Sequence, residues 1–143
     1  MRTIGSGTGI EWLDERECLQ LLAEHEVGRL GVIEGGAPTI FPVNYQLDGK
    51  AIVFRTGPGT KLDHGLRAPA CFEIDQFDQS QRCGWSVVGV GRLRLVTGYD
   101  GETLTRVTAL PVDPWAPGDK PHWMRLAFTE LSGRRVGSPR ADE

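Results

Sequence analysis

Apolar and polar residues along most of this chain alternate with a period of two, and only a few short stretches carry the three-to-four spacing of a helix. The first helical stretch follows Asp14. Glu17 stands three residues on, as in a capping box, and Cys18, Leu21, Leu22 and His25 recur on one face until Gly28 stops the pattern. Arg29 to Ile33 then reads as a strand, Glu34-Gly35-Gly36-Ala37 as a turn, and Thr39 onward as a second strand. Phe41 to Leu47 and Lys50 to Thr56 flank Asp48-Gly49, a dipeptide suited to a type I′ turn, which sets Leu47 opposite Lys50. One face of this hairpin carries Phe41, Val43, Tyr45, Ile52 and Phe54 and is expected to be core. The other carries Pro42, Asn44, Gln46, Val53 and Arg55, a set too polar for a core.

Gly57-Pro58-Gly59 turns the chain into a helix with Thr60 as N-cap, predicted to run to Arg67. Ala70 to Asp75 is a strand, Gln76 to Arg82 a polar loop, and Trp85 to Thr97 a long strand in which Gly89 and Gly91 predict a bulge or a close approach. A helix over Tyr99 to Leu110, capped by Asp100, presents Leu104, Val107 and Leu110 on one face. Pro111 to Pro121 is a stiff loop with Trp115 at its centre, able to cover a pocket or plug a barrel end, and His122 to Phe128 is the last strand. About six strands with two or three short helices predict an α+β fold built on an antiparallel barrel. One domain is expected over residues 10–136, after a disordered tail (1–9) and before a loose one (137–143).

Composition narrows the partners. The chain has 143 residues, the size of one domain, and its net charge of −3 with scattered basic residues favours neither nucleic acid nor an anionic membrane. No apolar run has the length of a signal peptide or membrane span, so a cytoplasmic location is expected. In that compartment Cys18, Cys71 and Cys83 read as free thiols. His25, His64, His122 and the cysteines form no short ligand pairs, so no metal site is expected. Ser86 lies in Gly84-Trp85-Ser86-Val87-Val88, which lacks the second glycine of a nucleophile elbow.

What remains is a place for an anion. A glycine-flanked helix start presents unpaired N–H groups, and Arg55 before it and Lys61 within it add charge-assisted donors. A phosphate there, with a planar group along Pro42, Val43 and Asn44, would be a nucleotide-like cofactor.

Phe41-Pro42-Val43-Asn44-Tyr45, Phe54-Arg55-Thr56, Gly59-Thr60-Lys61-Leu62, Cys71-Phe72-Glu73-Ile74-Asp75 and Gly84-Trp85-Ser86-Val87, in that order, resemble the pyridoxamine-phosphate-oxidase-like split-barrel flavoproteins, near the nitroimidazole-resistance branch. The resemblance spans about residues 11–135. It implies a split barrel and FMN at the interface of a homodimer. Arg55, Thr60 and Lys61 would hold the phosphate, with Thr56 in the same site, and Pro42, Val43 and Asn44 would lie along the isoalloxazine. Trp85 is either barrel core or a wall beside the ring. Arg55 stands where nitroimidazole-resistance members tend to have histidine, and the C-terminal arginine segment with which pyridoxamine phosphate oxidases hold their substrate is not recognisable. Neither activity is therefore favoured. The expectation is an oxidoreductase moving hydride between a nicotinamide or deazaflavin donor and a small-molecule acceptor. Its alternatives are a deazaflavin-dependent reductase, which needs a longer basic groove, and a non-catalytic flavin or haem sensor or storage protein, with His64 as the axial candidate for haem.

Overall fold

The computed structural model describes residues 9–57 and 68–137. Eight strands and two helices follow in the order β1 (Ile10–Leu13), α1 (Glu15–Glu24), β2 (Val27–Glu34), β3 (Ala37–Asn44), β4 (Gln46–Leu47), β5 (Ala51–Thr56), β6 (Ala68–Asp78), β7 (Cys83–Val96), α2 (Gly101–Thr108) and β8 (His122–Val136). All pairings are antiparallel, in the order β3-β2-β6-β7-β8-β5-β4, with β1 paired to β8. The two edge strands, β3 and β4, are separated in sequence by Tyr45 alone. A sheet whose opposite edges are consecutive in the chain must curl back on itself, and β3 and β5 do not form a ladder across the remaining seam. This is an α+β split barrel, with about eight strands where the alternation suggested six. The predicted helix over Thr60–Arg67 and most of both predicted tails lie outside the described residues.

Local rules account for most of the elements. Asp14 accepts the Glu17 N–H at 2.8 Å while the Glu17 carboxylate accepts from the Asp14 N–H, so the capping box forms as the spacing required. Leu22 and Cys18 of α1 are buried in the barrel core with Leu30, Tyr45, Ile52, Phe54, Phe72, Ile74, Val87, Met124 and Leu126. Burial pushes the Cys18 thiol up to about 11, with nearby acidic side chains adding to the shift, and all three cysteines are free. Where the long strands β7 and β8 pair, Val90 faces Glu130 but Gly91 faces Phe128, which leaves Thr129 as a bulge. A Cβ on Gly91 would stand 1.8 Å from the Ala127 carbonyl oxygen, so the close approach is by backbone.

The central hairpin differs from its prediction. Leu47 pairs with Ile52 and Asp48 exchanges both backbone hydrogen bonds with Ala51, placing Gly49 and Lys50 at the turn. Of these only Gly49 has positive φ (63°), the signature of a type II′ rather than a type I′ turn. The shift is by two residues, so the faces survive: Tyr45, Ile52 and Phe54 are buried inward. The pairing is short, because β3 spends its length on β2 while β5 pairs with β8. The outward face of β5 is also less polar in context than its residues suggested. Val53 is fully buried in a second cluster with Val96, Val107 and Val112, where α2 covers the sheet.

Two charge clusters flank this frame. Asp48, only 8% exposed, accepts from Arg106 Nε and Nη2 at 2.7 and 2.9 Å and from Arg125 Nε at 2.9 Å. The Arg106 hydrogen bond, then that of Arg125, holds its carboxyl below the usual range despite burial. On the outward face of β2 and β6, Arg29 lies 3.1 Å from Glu73 and 3.5 Å from Asp75. Burial and the neighbouring Asp75 nevertheless raise Glu73 to about 7, because Arg29 is 56% exposed, shared between two carboxylates and screened.

Removing the Asp48 carboxylate strands Arg125 against the sheet, so Asp48→Ala should cost about 3 kcal/mol in urea unfolding, with Asp48→Asn costing less. Folding makes Glu73 hold its proton more tightly than in the unfolded chain. Its contribution is therefore greatest below the ordinary glutamate pKa and declines as pH rises through about 7. Urea midpoints between pH 5 and 8 should fall less steeply in Glu73→Gln than in the parent protein.

Candidate functional site

On the outward side of β5, at the end of the strand, stands Arg55. Its Nε donates to the Lys120 carbonyl at 3.0 Å and one Nη to the Val112 carbonyl at 3.4 Å, and the guanidinium lies 5.5 Å from the Trp123 ring centroid. Its other Nη makes no hydrogen bond among the described residues. Asn44, at the end of β3, accepts the Trp115 backbone N–H on Oδ1 at 2.9 Å. The segment between α2 and β8 thus reaches both residues, and its four prolines between 111 and 121 favour a fixed path. Trp115 itself is exposed.

Thr56 follows Arg55 with its side chain on the opposite side of the strand, buried, and its hydroxyl has no hydrogen-bond partner among the described residues. An unsatisfied buried hydroxyl costs about 1–3 kcal/mol, and it sits where β5 ends and the chain enters the glycine turn. Pro42 shares the outward face with Asn44, opposite Arg29. Val43 points the other way, against the core, so it offers an outward group only its backbone. Thr60 and Lys61 lie outside the described residues, as does His64.

Trp85 is not brought to this place within the chain. It packs against the main core and meets the His25 ring at 5.0 Å between centroids, at the C-terminal end of α1. The His25 ring donates from Nδ1 to the Leu21 carbonyl at 2.7 Å, with His25 as the C-cap of α1. Of the two roles for Trp85, core is the one its own chain provides.

The outward face continues from Pro42 and Asn44 across β3, β2, β6 and β7. Ile40, Gly31, Cys71 and Val90 fall in one cross-strand row there, and with Ile33 and Pro38 they line an apolar groove of about 380 Å³. Ile40 is 71% and Ile33 63% exposed, so two large apolar side chains stand uncovered at the β3 edge of the sheet. The alternation foretold inward residues well, but nothing in it marked this outer row as apolar and uncovered. The signal was there in Ile33, Ile40, Val88 and Val90 standing at positions reserved for polar side chains. Among the described residues no three His, Cys, Asp or Glu side chains converge as a metal site would require, and no helix is long and apolar enough to cross a membrane.

Chemically the place joins a guanidinium with a spare donor and an amide under one loop, at the ends of β5 and β3. That set suits a phosphate beside a polar ring edge better than it suits acid–base catalysis, since among the described residues no titratable pair faces it.

Comparison with other proteins identifies the family. The pyridoxamine 5'-phosphate oxidase family pattern matches residues 14–135. An uncharacterised protein of Mycobacterium tuberculosis is 32% identical over 109 residues, 72% of this chain and 70% of that protein. The FAD binding protein from Mycobacterium smegmatis superposes with a TM-score of 0.76 at 32% identity, over 89% of this chain and 98% of that one. A FAD-binding protein from Mesorhizobium loti gives 0.71 at 27% identity, over 90% and 99%. The chain therefore belongs to the pyridoxamine 5'-phosphate oxidase family.

Proposed function

We propose that this protein binds a flavin nucleotide and uses it as an oxidoreductase on a small molecule. The observation that carries the reading is that one loop on the outward face holds both Arg55, with its spare donor, and Asn44. Arg55 would hold the phosphate together with Thr60 and Lys61 of the glycine turn. Pro42, Asn44 and the Val43 backbone would support the ring. Bound there, the flavin supplies hydride transfer between a nicotinamide or deazaflavin donor and an acceptor. The chain's own part is to place and polarise: Arg55 fixes one end, Asn44 offers an amide at the other, and the Trp115 loop keeps water from the space between.

FMN is the nucleotide expected from a single phosphate turn. FAD is a second reading, favoured by the two similar structures described as FAD-binding, at 32% and 27% identity. Mass spectrometry of the cofactor released from freshly purified protein separates the two, and the absorption spectrum before release separates either from deazaflavin or haem. Anaerobic NADH, NADPH or reduced deazaflavin should bleach the bound flavin. Flavin that no such donor reduces would leave the sensor or storage reading.

The working unit we propose is a homodimer, with the apolar row of Ile40, Gly31, Cys71 and Val90 covered by the second copy and the cofactor at the border of that contact. A strand of the partner near its Trp85, or the partner's Trp115 loop, would then close over the ring.

Arg55→Ala should weaken FMN binding about ten-fold or more, the loss of one charge-assisted contact to phosphate. Riboflavin, without the phosphate, should lose much less in the same titration. Equal losses for both would mean that Arg55 acts only by holding the loop. For the dimer, light scattering at micromolar concentration should give about twice the 15.7 kDa chain mass. Ile40→Asp should lower that value towards the monomer without changing the far-ultraviolet circular dichroism.

A further inference from the structure

The outward side of β7 and β8 carries a second basic feature, apart from Arg55. Arg92 and Arg94 are two residues apart on β7 and so share a face, and Arg125 stands directly opposite Arg94 on β8. Opposite Arg92 is Ala127, and beyond it on β5 is Ala51, so small side chains leave room beside the arginines. Among the described residues, Arg92, Arg94, Arg125 and Ala127 line a pocket of about 270 Å³.

Like charges directly across a ladder repel, and a strand pair gains nothing by carrying them. Here the repulsion is held in check from the sides. Asp48 takes Arg125 Nε at 2.9 Å, and Asp100 lies 2.9 Å from an Arg94 Nη. These carboxylates fix the two guanidinium groups, whose side chains are only 19% and 22% exposed, without filling the space between them. Asp48 is itself shared with Arg106, so three guanidinium groups meet two carboxylates in these ion pairs. One Nη of Arg125 has no hydrogen bond among the described residues. The result is a pair of planar donors, Arg94 and Arg125, held in place before any ligand arrives, with Arg92 beside them on the same face of a space of phosphate to diphosphate size.

We propose that Arg92, Arg94 and Arg125 form a binding pocket for a compact, multiply charged oxyanion of the phosphate or diphosphate type. The pocket is distinct from the place at Arg55. Both lie on the outward side of the sheet, but the cluster of Val53, Val96, Val107, Val112 and Trp123 under α2 stands between them. The inference does not rest on the flavin reading. A free diphosphate and the phosphate end of a larger metabolite share this chemistry, and the pocket volume admits only the charged end of the latter.

Calorimetric titration of the full-length protein with inorganic phosphate, inorganic diphosphate and ADP, at constant ionic strength, tests it. Diphosphate should bind more tightly than phosphate. Arg92→Gln should weaken diphosphate binding about ten-fold, Arg92→Lys less, and the Arg92→Gln, Arg94→Gln pair further still. Arg55→Ala should leave the Arg92-dependent component of that binding unchanged. ADP binding more tightly than diphosphate would identify the larger source, and equal binding the free anion; each supports the pocket. No heat with diphosphate, or binding that survives Arg92→Gln and is lost in Arg55→Ala, would overturn it. Because Arg94 also holds Asp100, the single Arg92→Gln variant decides the matter if the pair fails to fold, its folding checked by circular dichroism.

Discussion

The barrel depends on what happens at Tyr45. On one side of it the chain is an edge strand paired to β2, and on the other it is the opposite edge paired to β5. The crossing is held by three contacts of a single residue. The Tyr45 N–H donates to the Glu26 carbonyl at 3.0 Å, its hydroxyl donates to the Leu22 carbonyl at 2.7 Å, and its ring meets Phe72 edge-on at 4.9 Å. Burial raises the phenol's pKa well above its usual range, so the hydroxyl stays a donor at any physiological pH. Helix, both sheet edges and core are thereby tied at one point. Asn44, one residue earlier, is placed by the same crossing.

Much of this was legible in the chain. The capping box at Asp14 and Glu17 formed because it needs only neighbours three residues apart. The bulge foretold by Gly89 and Gly91 formed because glycine spacing reports how close another backbone comes. The hairpin register was not legible, since Asp48-Gly49 suits two turn types and the choice between them lies outside the turn. Asp48 is drawn toward Arg106 and Arg125, which are 58 and 77 residues away, and a strand position serves that contact better than a turn position. Strand number was undercounted for a related reason. β1 and the break at Tyr45 have no periodic signal of their own and exist because of their partners.

The site was half legible. Arg55 and Asn44 stood out as polar residues on a strand face, and the fold brings one loop to both of them. That their first partners are backbone atoms of residues 112–120 could not be read locally, because a loop of prolines gives no hint of where it lands. For Trp85 the sequence left core and ring wall open, and the inward position of odd residues on β7 packs it against its own chain's core. Arg92 and Arg94 were visible as alternating residues of a strand. Their significance needed the position of Arg125 on β8, which is set by the bulge and by no property of the arginines.

That bulge also makes β8 a strand with two phases. Up to Phe128 its even-numbered residues point inward, and beyond Thr129 the odd-numbered Leu131 and Gly133 take that role. The first half therefore turns Trp123, Arg125 and Ala127 toward α2 and the arginine pocket, while the second half closes the barrel against β1 and α1. Thr129, whose hydroxyl caps the Val90 carbonyl at 3.1 Å, is the residue at which one strand stops serving one surface and starts serving another. The length of either half is then free to drift in evolution only by two residues at a time. A single insertion or deletion within either half would turn the side chains beyond it inside out and exchange core for surface.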